Sequence, residues 1–302
     1  MNQMFDLQLN GYVGVDFNGD DLTAVKMLHA CEVLQQDGVS GVLATIITAD
    51  HDAMCSRLAK IVECREANPL IEKMIAGIHI EGPFLSPIDG FIGAHPPQHS
   101  CQANTELAKR LLEAAGGLTK IFTLAPEQDP DAKVTSWLAN QNIVVSAGHC
   151  DPSIDQLKQG IDAGLSMFTH LGNGCPQQMH RHDNIIQRAL SLSEHLWLGL
   201  IADGAHVPLF ALKNYLDCAG IDRCCVVSDA ISATGLGPGR YRLADQEVII
   251  EEDLVPWAED RSHFVGSACP LKKMVLNLKT IGLCDAEINK LVKTNPRKSI
   301  GM

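Results

Sequence analysis

No apolar stretch of the 302-residue sequence reaches the ~18 residues that a membrane-spanning helix requires, so we expect no membrane partner. Positive charge is also scarce, because 24 Lys and Arg stand against 36 Asp and Glu and leave a formal net charge of −12. This balance argues against general binding to nucleic acid or to an anionic membrane surface. One local basic site could still hold an anionic small molecule.

The cysteines give no sign of a disulfide framework. There are 11, an odd number, and no two have the Cys-x-x-Cys spacing. The opening residues, MNQMFDLQLN, contain neither the basic nor the apolar region of a signal peptide. We therefore expect reduced thiols and a cytoplasmic location.

What the sequence does contain is a regular alternation of strand and helix patterns, with 46% hydrophobic residues and no low-complexity linker. Short apolar segments predict about eight buried parallel strands, and between most of them the apolar residues recur at the spacing of a helix. This number closes a (β/α)8 TIM barrel, and the length fits one such α/β domain over residues 1–302. A doubly wound open sheet is the alternative, although no strand is followed by a glycine-rich phosphate loop. The predicted strands are 5–9, 41–47, 74–80, 121–124, 143–147, 166–170, 198–201 and 224–227.

One segment interrupts this alternation. Residues 235–263 contain turns rich in glycine and proline and a short alternating run at 247–251. The pattern predicts a hairpin or lid inserted after the eighth strand.

Four polar side chains follow predicted strands: Glu81 the third, His149 the fifth, His170 the sixth and Asp229 the eighth. Because the carboxyl ends of barrel strands converge at one mouth, we expect these side chains to lie together. One carboxylate and two imidazoles form a three-ligand site for a divalent metal, with a position left for water. Asp229 is then placed as the base that takes a proton from that water.

Each of the four residues also has a simpler structural interpretation. His149 and His170 could be satisfied core histidines, and Glu81 could be a loop or helix-capping carboxylate. Asp229 could be the N-cap of the next segment. Four such groups at four strand ends nevertheless favour the metal site.

Seven motifs occur in order along the chain: DLQLNG (6–11), HIEGPF (79–84), TLAPE (123–127), SAGH (146–149), THL (169–171), ADGAH (202–206) and VSD (227–229). Together they resemble the N-acetylglucosamine-6-phosphate deacetylase family of the amidohydrolase superfamily. The resemblance extends from about residue 6 to the NPRKSIG ending at 295–301, and the order and number of the motifs make it specific.

The resemblance implies that Glu81, His149 and His170 bind one divalent metal ion. Other superfamily members begin with a His-x-His pair for a second metal. Here the position reads Gln8-Leu9-Asn10, as in family members that use one metal, so we expect a mononuclear site. Zinc is the expected ion, with iron or another divalent metal as the alternative.

The resemblance also implies roles around the substrate, which would be an amino sugar phosphate such as N-acetylglucosamine 6-phosphate. Asp229 matches the catalytic acid/base, and His95 matches a residue that polarises the amide carbonyl. Arg181 matches a sugar-phosphate contact, and a guanidinium fork is a natural ligand of phosphate. The other predicted substrate contacts are Ala94, His95, Asn173, Gly174, His206, Phe264, Val265 and Gly266.

Two features depart from the family pattern. The small β-sandwich domain usual in the family is almost absent, so we expect a bare barrel, which we predict to form a homodimer. His180 and His182 flank Arg181, which leaves phosphate recognition open between the arginine and the histidine pair. The functional alternatives are a related N-acyl or cyclic-amide hydrolase and a catalytically silent sugar-phosphate-binding barrel.

Overall fold

Eight parallel strands form the central sheet of the computed structural model, which describes residues 3–243, 246–261 and 264–302. Each strand pairs with the strands before and after it in the chain, so the order never reverses as it does in a doubly wound sheet. The predicted (β/α)8 barrel is confirmed, and the open-sheet alternative is wrong. The strands are β1 (Met4–Leu9), β2 (Val39–Ile47), β3 (Ile75–Glu81), β4 (Thr119–Leu124), β5 (Val144–Ala147), β6 (Leu165–Phe168), β7 (Trp197–Ile201) and β8 (Cys224–Val227).

The first and eighth strands approach each other through a few local hydrogen bonds rather than a long ladder. The backbone N–H of Asp229 donates to Gln8 O at 3.0 Å, and that of Asn10 donates to Ala230 O at 2.8 Å. These bonds lie at the carboxyl ends of both strands. They therefore fix the backbone of the rim where the polar strand-end residues lie.

Helices connect most successive strands, and several of them begin at a capping side chain. Asp50 accepts the N–H groups of Asp52 and Ala53, and Ser153 forms a capping box with Gln156. The helices are α1 (Ala24–Gln36), α2 (His51–Glu66), α3 (Pro69–Met74), α4 (Thr105–Ala114), α5 (Lys133–Asn140), α6 (Ile154–Asp162), α7 (Ile185–Ser191), α8 (Leu209–Ala219), α9 (Leu271–Thr280), α10 (Asp285–Asn289) and α11 (Asn295–Ser299), with a π-turn at Lys290–Thr294.

Both faces of the central sheet are buried, mostly among apolar side chains, although polar side chains such as His79, Thr123 and Thr169 are also buried and hydrogen-bond to one another. In β2 every residue except Ser40 is buried, as expected of a strand covered by helices on one side and by the barrel interior on the other. Burying one large apolar side chain contributes about 1.5–3 kcal/mol to folding. In the described ranges, no helix combines the length and the apolar character needed to cross a bilayer.

A separate antiparallel sheet follows the eighth strand. Its strands are β9 (Gly239–Leu243), β10 (Gln246–Ile250) and β11 (Pro256–Ala258). Val248 and Ile250 pack with Ile231 and Val265 in a small apolar cluster of their own. This sheet occupies much of the segment 235–263, for which the sequence predicts a hairpin or lid. Residues 244, 245, 262 and 263 of that segment lie outside the described residues.

Candidate metal centre and active site

Three of the predicted site residues occupy equivalent positions at the barrel rim. His149, His170 and Asp229 are each the second residue after a strand, β5, β6 and β8 respectively. All three have left-handed backbones, with φ of 52°, 31° and 49°. Such a conformation costs a non-glycine residue about 1–3 kcal/mol and persists where the surrounding structure enforces it, most often at functional sites.

Glu81, the last residue of β3, meets the two histidines in the barrel mouth. Its Oε1 lies 3.2 Å from His149 Nε2 and 3.1 Å from His170 Nε2, and the two nitrogen atoms are 3.1 Å apart. A tetrahedral zinc ion with bonds of about 2.0–2.1 Å separates its ligand atoms by about 3.3–3.4 Å. The three atoms therefore have nearly the spacing of ligands around one ion.

The second ring nitrogen, Nδ1, has a different environment in each of the two histidines. His149 Nδ1 donates to the carbonyl oxygen of Phe91 at 2.7 Å, which leaves a lone pair on Nε2 for a metal. His170 Nδ1 is buried and has no hydrogen-bond partner among the described residues. The donor set and the tautomer of His149 thus fit a divalent metal.

Gln8 supports the carboxylate of this cluster. Its Nε2 donates to both oxygens of Glu81, each at 3.1 Å. Burial acts to raise the pKa of Glu81, but the contacts with His149 and His170 hold that pKa well below its usual range. The carboxylate is therefore ionised, as a metal ligand has to be.

His95 lies against His149, with the ring centroids 4.3 Å apart. Ligand atoms of Glu81, His95 and His149 all lie within 4.8 Å of one another, so distance alone admits this second triad. However, the backbone N–H of Thr48 donates to His95 Nδ1 at 3.2 Å, which puts the proton of the neutral ring on Nε2. Burial and the neighbouring His149 hold the pKa of His95 well below its usual range, so the ring stays neutral. A protonated Nε2 donates rather than coordinates, which favours His170 as the third ligand.

Asp229 faces the cluster from the other side of the rim. Asn10 Nδ2 donates to Asp229 Oδ1 at 2.8 Å. Burial, followed by the charge of Glu81, raises the pKa of Asp229 to about 6. A carboxyl group that titrates close to neutrality is suited to taking up a proton and returning it within one reaction.

These side chains line one cavity of about 450 Å³. Its far wall is aromatic, with ring centroids of His206 and Phe264 5.0 Å apart and those of Phe264 and Trp257 4.4 Å apart. His206 Nδ1 lies 2.6 Å from Asp203 Oδ2, so the carboxylate orients the imidazole. The residues predicted from the sequence that line the cavity are Glu81, Ala94, His95, His149, His170, Asn173, Gly174, His206, Asp229, Phe264 and Gly266.

Two predicted contacts do not line this cavity. Val265 is fully buried in the apolar cluster under the antiparallel sheet, because alternation along an extended segment turns Phe264 and Gly266 towards the cavity and Val265 away from it. Arg181 is exposed on the loop after β6, as are His180 and His182. The described chain therefore does not bring Arg181 to the cavity that holds the strand-end residues.

Some lining residues were not predicted as site residues. From the sequence, Asn10 is expected only to replace a second-metal histidine, and no pattern predicts a site role for Trp257, yet both line the cavity. Asn10 is two residues after Gln8 and directly follows β1, so the period-2 rule extended by one residue could have shown that both point to the same side. No sequence signal placed Trp257 at the cavity, because its position depends on how the antiparallel sheet folds back over the rim.

No protein-family model matches the chain. N-acetylglucosamine-6-phosphate deacetylase of Bacillus subtilis (strain 168) is 29% identical over 302 residues, which cover 99% of this chain and 74% of the relative. The Bos taurus enzyme of the same name is 30% identical over 290 residues, covering 93% and 69%. A Mycobacterium smegmatis N-acetyl-D-glucosamine-6-phosphate deacetylase variant, solved in complex with N-acetyl-D-glucosamine-6-phosphate, superposes with a TM-score of 0.89 at 25% identity, covering 100% of this chain and 77% of that one.

The barrel fold and the side chains clustered at its rim define the class of protein, the metal-dependent amidohydrolase barrels. Within that class, the extent of the likeness to the Bos taurus relative is decisive, because it spans most of both chains. The chain belongs to the N-acetylglucosamine-6-phosphate deacetylase family, and the resemblance seen in its motifs is confirmed.

Proposed function

We propose that this chain hydrolyses the N-acetyl group of an amino sugar phosphate, N-acetylglucosamine 6-phosphate, to give glucosamine 6-phosphate and acetate. The observation that carries the proposal is the trio of donor atoms 3.1–3.2 Å apart, next to a buried aspartate in one cavity. Family membership supports the substrate, since the Bacillus subtilis and Bos taurus relatives are named for this reaction.

Glu81, His149 and His170 would hold one divalent metal ion, for which we propose zinc because it favours these nitrogen and oxygen donors at this spacing. When bound, such an ion polarises a carbonyl group and lowers the pKa of water. A single ion is supported by Gln8 and Asn10, whose side-chain N–H groups face the carboxylates of Glu81 and Asp229, where a second ion would have to bind. Amide N–H groups do not coordinate metals.

The residues around this site divide the proton transfers between them. Asp229 takes a proton from the attacking water, whose oxygen bonds to the amide carbon. His95 donates its Nε2–H to the carbonyl oxygen, where negative charge develops. When the C–N bond breaks, Asp229 returns the proton to the amine nitrogen, so the products are acetate and a free amino sugar phosphate.

The sugar would lie against the aromatic wall. His206, held by Asp203, and Phe264 face the cavity, while Asn173 donates to His170 O at 3.2 Å and lines the same space. We assign the phosphate to Arg181. Since this side chain lies outside its own cavity, we further propose a homodimer in which the loop of one subunit approaches the other subunit's site.

Three broader assignments complete the proposal. We regard 1–302 as one barrel domain, with 235–263 acting as a lid whose antiparallel sheet closes over the sugar. A cytoplasmic location is supported by the free cysteines, most of which are buried thiols.

The test is metal analysis combined with turnover. Wild-type protein should bind one zinc ion per chain and release acetate from N-acetylglucosamine 6-phosphate, whereas His149→Ala and His170→Ala should lose both properties. His195→Ala is a matched control, because this histidine is about half exposed and pairs with Glu194 on the surface.

Three results would contradict parts of the proposal. Two ions at full occupancy would overturn the single-metal site. Full activity in metal-free His149→Ala would overturn the assignment of the ligands. A metal-loaded wild type that binds the sugar phosphate and its galacto epimer but turns over neither would favour the silent binding barrel instead.

A further inference from the structure

Asn10 has one half of its side chain engaged and the other half unpaired. The residue follows β1 and is 4% exposed. Its Nδ2 donates to Asp229 Oδ1 at 2.8 Å, and its Oδ1 is buried without a hydrogen-bond partner among the described residues. Asn10 also lines the cavity that contains the strand-end cluster. A buried amide oxygen without a partner costs about 1–3 kcal/mol, so its retention here calls for a ligand.

Chemistry decides which way this amide points. The two ends of an asparagine side chain look alike in shape, but only the NH₂ end can donate. A carboxylate accepts, so Nδ2 has to face Asp229 when Asp229 is ionised. Oδ1 then points away from the acid, and the free acceptor lies beside the group that handles the proton.

We propose that Asn10 Oδ1 accepts the N–H of the scissile amide, so that Asn10 is a catalytic residue that selects amides over esters. This inference rests on the proposed function. In the reaction, water oxygen bonds to the carbonyl carbon, the C–N bond breaks and one water proton ends on nitrogen by way of Asp229. The nitrogen therefore has to lie next to Asp229, and its original N–H is within reach of the neighbouring Asn10 oxygen.

Holding that N–H has a stereochemical consequence. As the carbonyl carbon becomes tetrahedral, the nitrogen lone pair has to turn towards Asp229 to receive the proton. A hydrogen bond from N–H to Asn10 fixes the rotation about the C–N bond in that orientation. An ester has an oxygen in place of the N–H and offers Asn10 nothing to accept.

The experiment compares two substrates in several variants of the metal-loaded protein. The substrates are N-acetylglucosamine 6-phosphate and 2-O-acetylglucose 6-phosphate, and the quantity measured is the ratio of their kcat/KM values. In Asn10→Ala we expect the amide to lose about 3- to 10-fold more than the ester, the range of one neutral hydrogen bond. Asn10→Leu, which keeps the volume of the side chain, should give the same change in ratio and covers the case in which alanine destabilises the fold.

Asn10→Asp separates the two ends of the side chain. It removes the donor to Asp229, as the other variants do, but keeps an oxygen where Oδ1 lies. Both rates should fall, while the amide-to-ester ratio should stay within about twofold of wild type. Asn18→Ala is the matched control, because Asn18 is a buried asparagine that does not line the cavity and whose two ends bond Thr45 O and Ile47 N.

The outcomes are distinguishable. Equal losses on both substrates in Asn10→Ala and Asn10→Leu would overturn the role of Oδ1 while leaving the deacetylase proposal standing. If the amide-to-ester ratio falls as much in Asn10→Asp as in Asn10→Ala, the effect comes from the lost donor to Asp229, and the role of Oδ1 is likewise overturned. Absence of amide turnover in the metal-loaded wild type would overturn the proposed function and this inference together.

Discussion

Replacing Gln8 by leucine should weaken metal binding without touching a ligand. Gln8 is 2% exposed, so leucine of similar size keeps the packing. The substitution removes an amide nitrogen that lies 3.1 Å from both oxygens of Glu81. A hydrogen bond to an ionised group contributes about 1.5–3 kcal/mol, which corresponds to roughly a 10- to 100-fold loss of affinity.

The dissociation constant for zinc, measured in competition with a chromophoric chelator at neutral pH, is the quantity to compare. Gln177→Leu is the matched control, because Gln177 lines the same cavity but is exposed. The affinity of the Gln177→Leu variant for zinc should equal that of wild type. Wild-type affinity in Gln8→Leu would refute the reasoning, since it would mean that Glu81 needs no second residue to orient it.

Three further predictions concern other residues. Asp229→Asn should retain one metal ion per chain while kcat falls by about 10²- to 10⁴-fold, as loss of a general acid/base requires, and loss of the ion along with activity would instead make Asp229 a ligand. Arg181→Ala should lower kcat/KM for the phosphorylated substrate by the equivalent of about 2–3 kcal/mol and leave kcat/KM for N-acetylglucosamine unchanged, whereas equal losses on both substrates would exclude a phosphate contact. Burial raises the pKa of Glu127 from 4.5 to about 7, so folding favours its protonated form and this contribution to stability is lost as pH rises through about 7. Glu127→Gln should therefore raise the free energy of unfolding by about 2–3 kcal/mol at about pH 8 and by little at about pH 4, measured by urea denaturation, and a difference independent of pH would contradict the assigned cause.

The strand-end residues can be predicted from the sequence because their positions follow from local patterns. Each of His149, His170 and Asp229 comes directly after a short apolar segment, and parallel strands of a barrel end on one rim. Local sequence thus determined which side chains meet. It did not reveal the left-handed backbone that all three share, because only the assembled rim enforces that conformation.

The rest of the site depends on contacts that no local pattern encodes. Whether Arg181 reaches the substrate depends on the path of a long loop, and the spacing from His170 fixes only its place along the chain. Trp257 reaches the cavity through a sheet that folds back over the barrel. The tautomer of His95 follows from the backbone N–H of Thr48, which belongs to a different strand end.

The meeting of the first and eighth strands has a consequence for the order in which the protein becomes active. Asn10 and Asp229 are 219 positions apart, whereas Glu81, His149 and His170 all come from the middle of the chain. A nascent polypeptide that has emerged as far as His170 already contains the three metal-binding side chains but not the acid that completes the reaction. Contacts between such distant residues form slowly, because a long loop has to close first. In a refolding sample, recovery of metal binding should therefore precede recovery of turnover, and the interval between them measures the time the last strand needs to dock on the first.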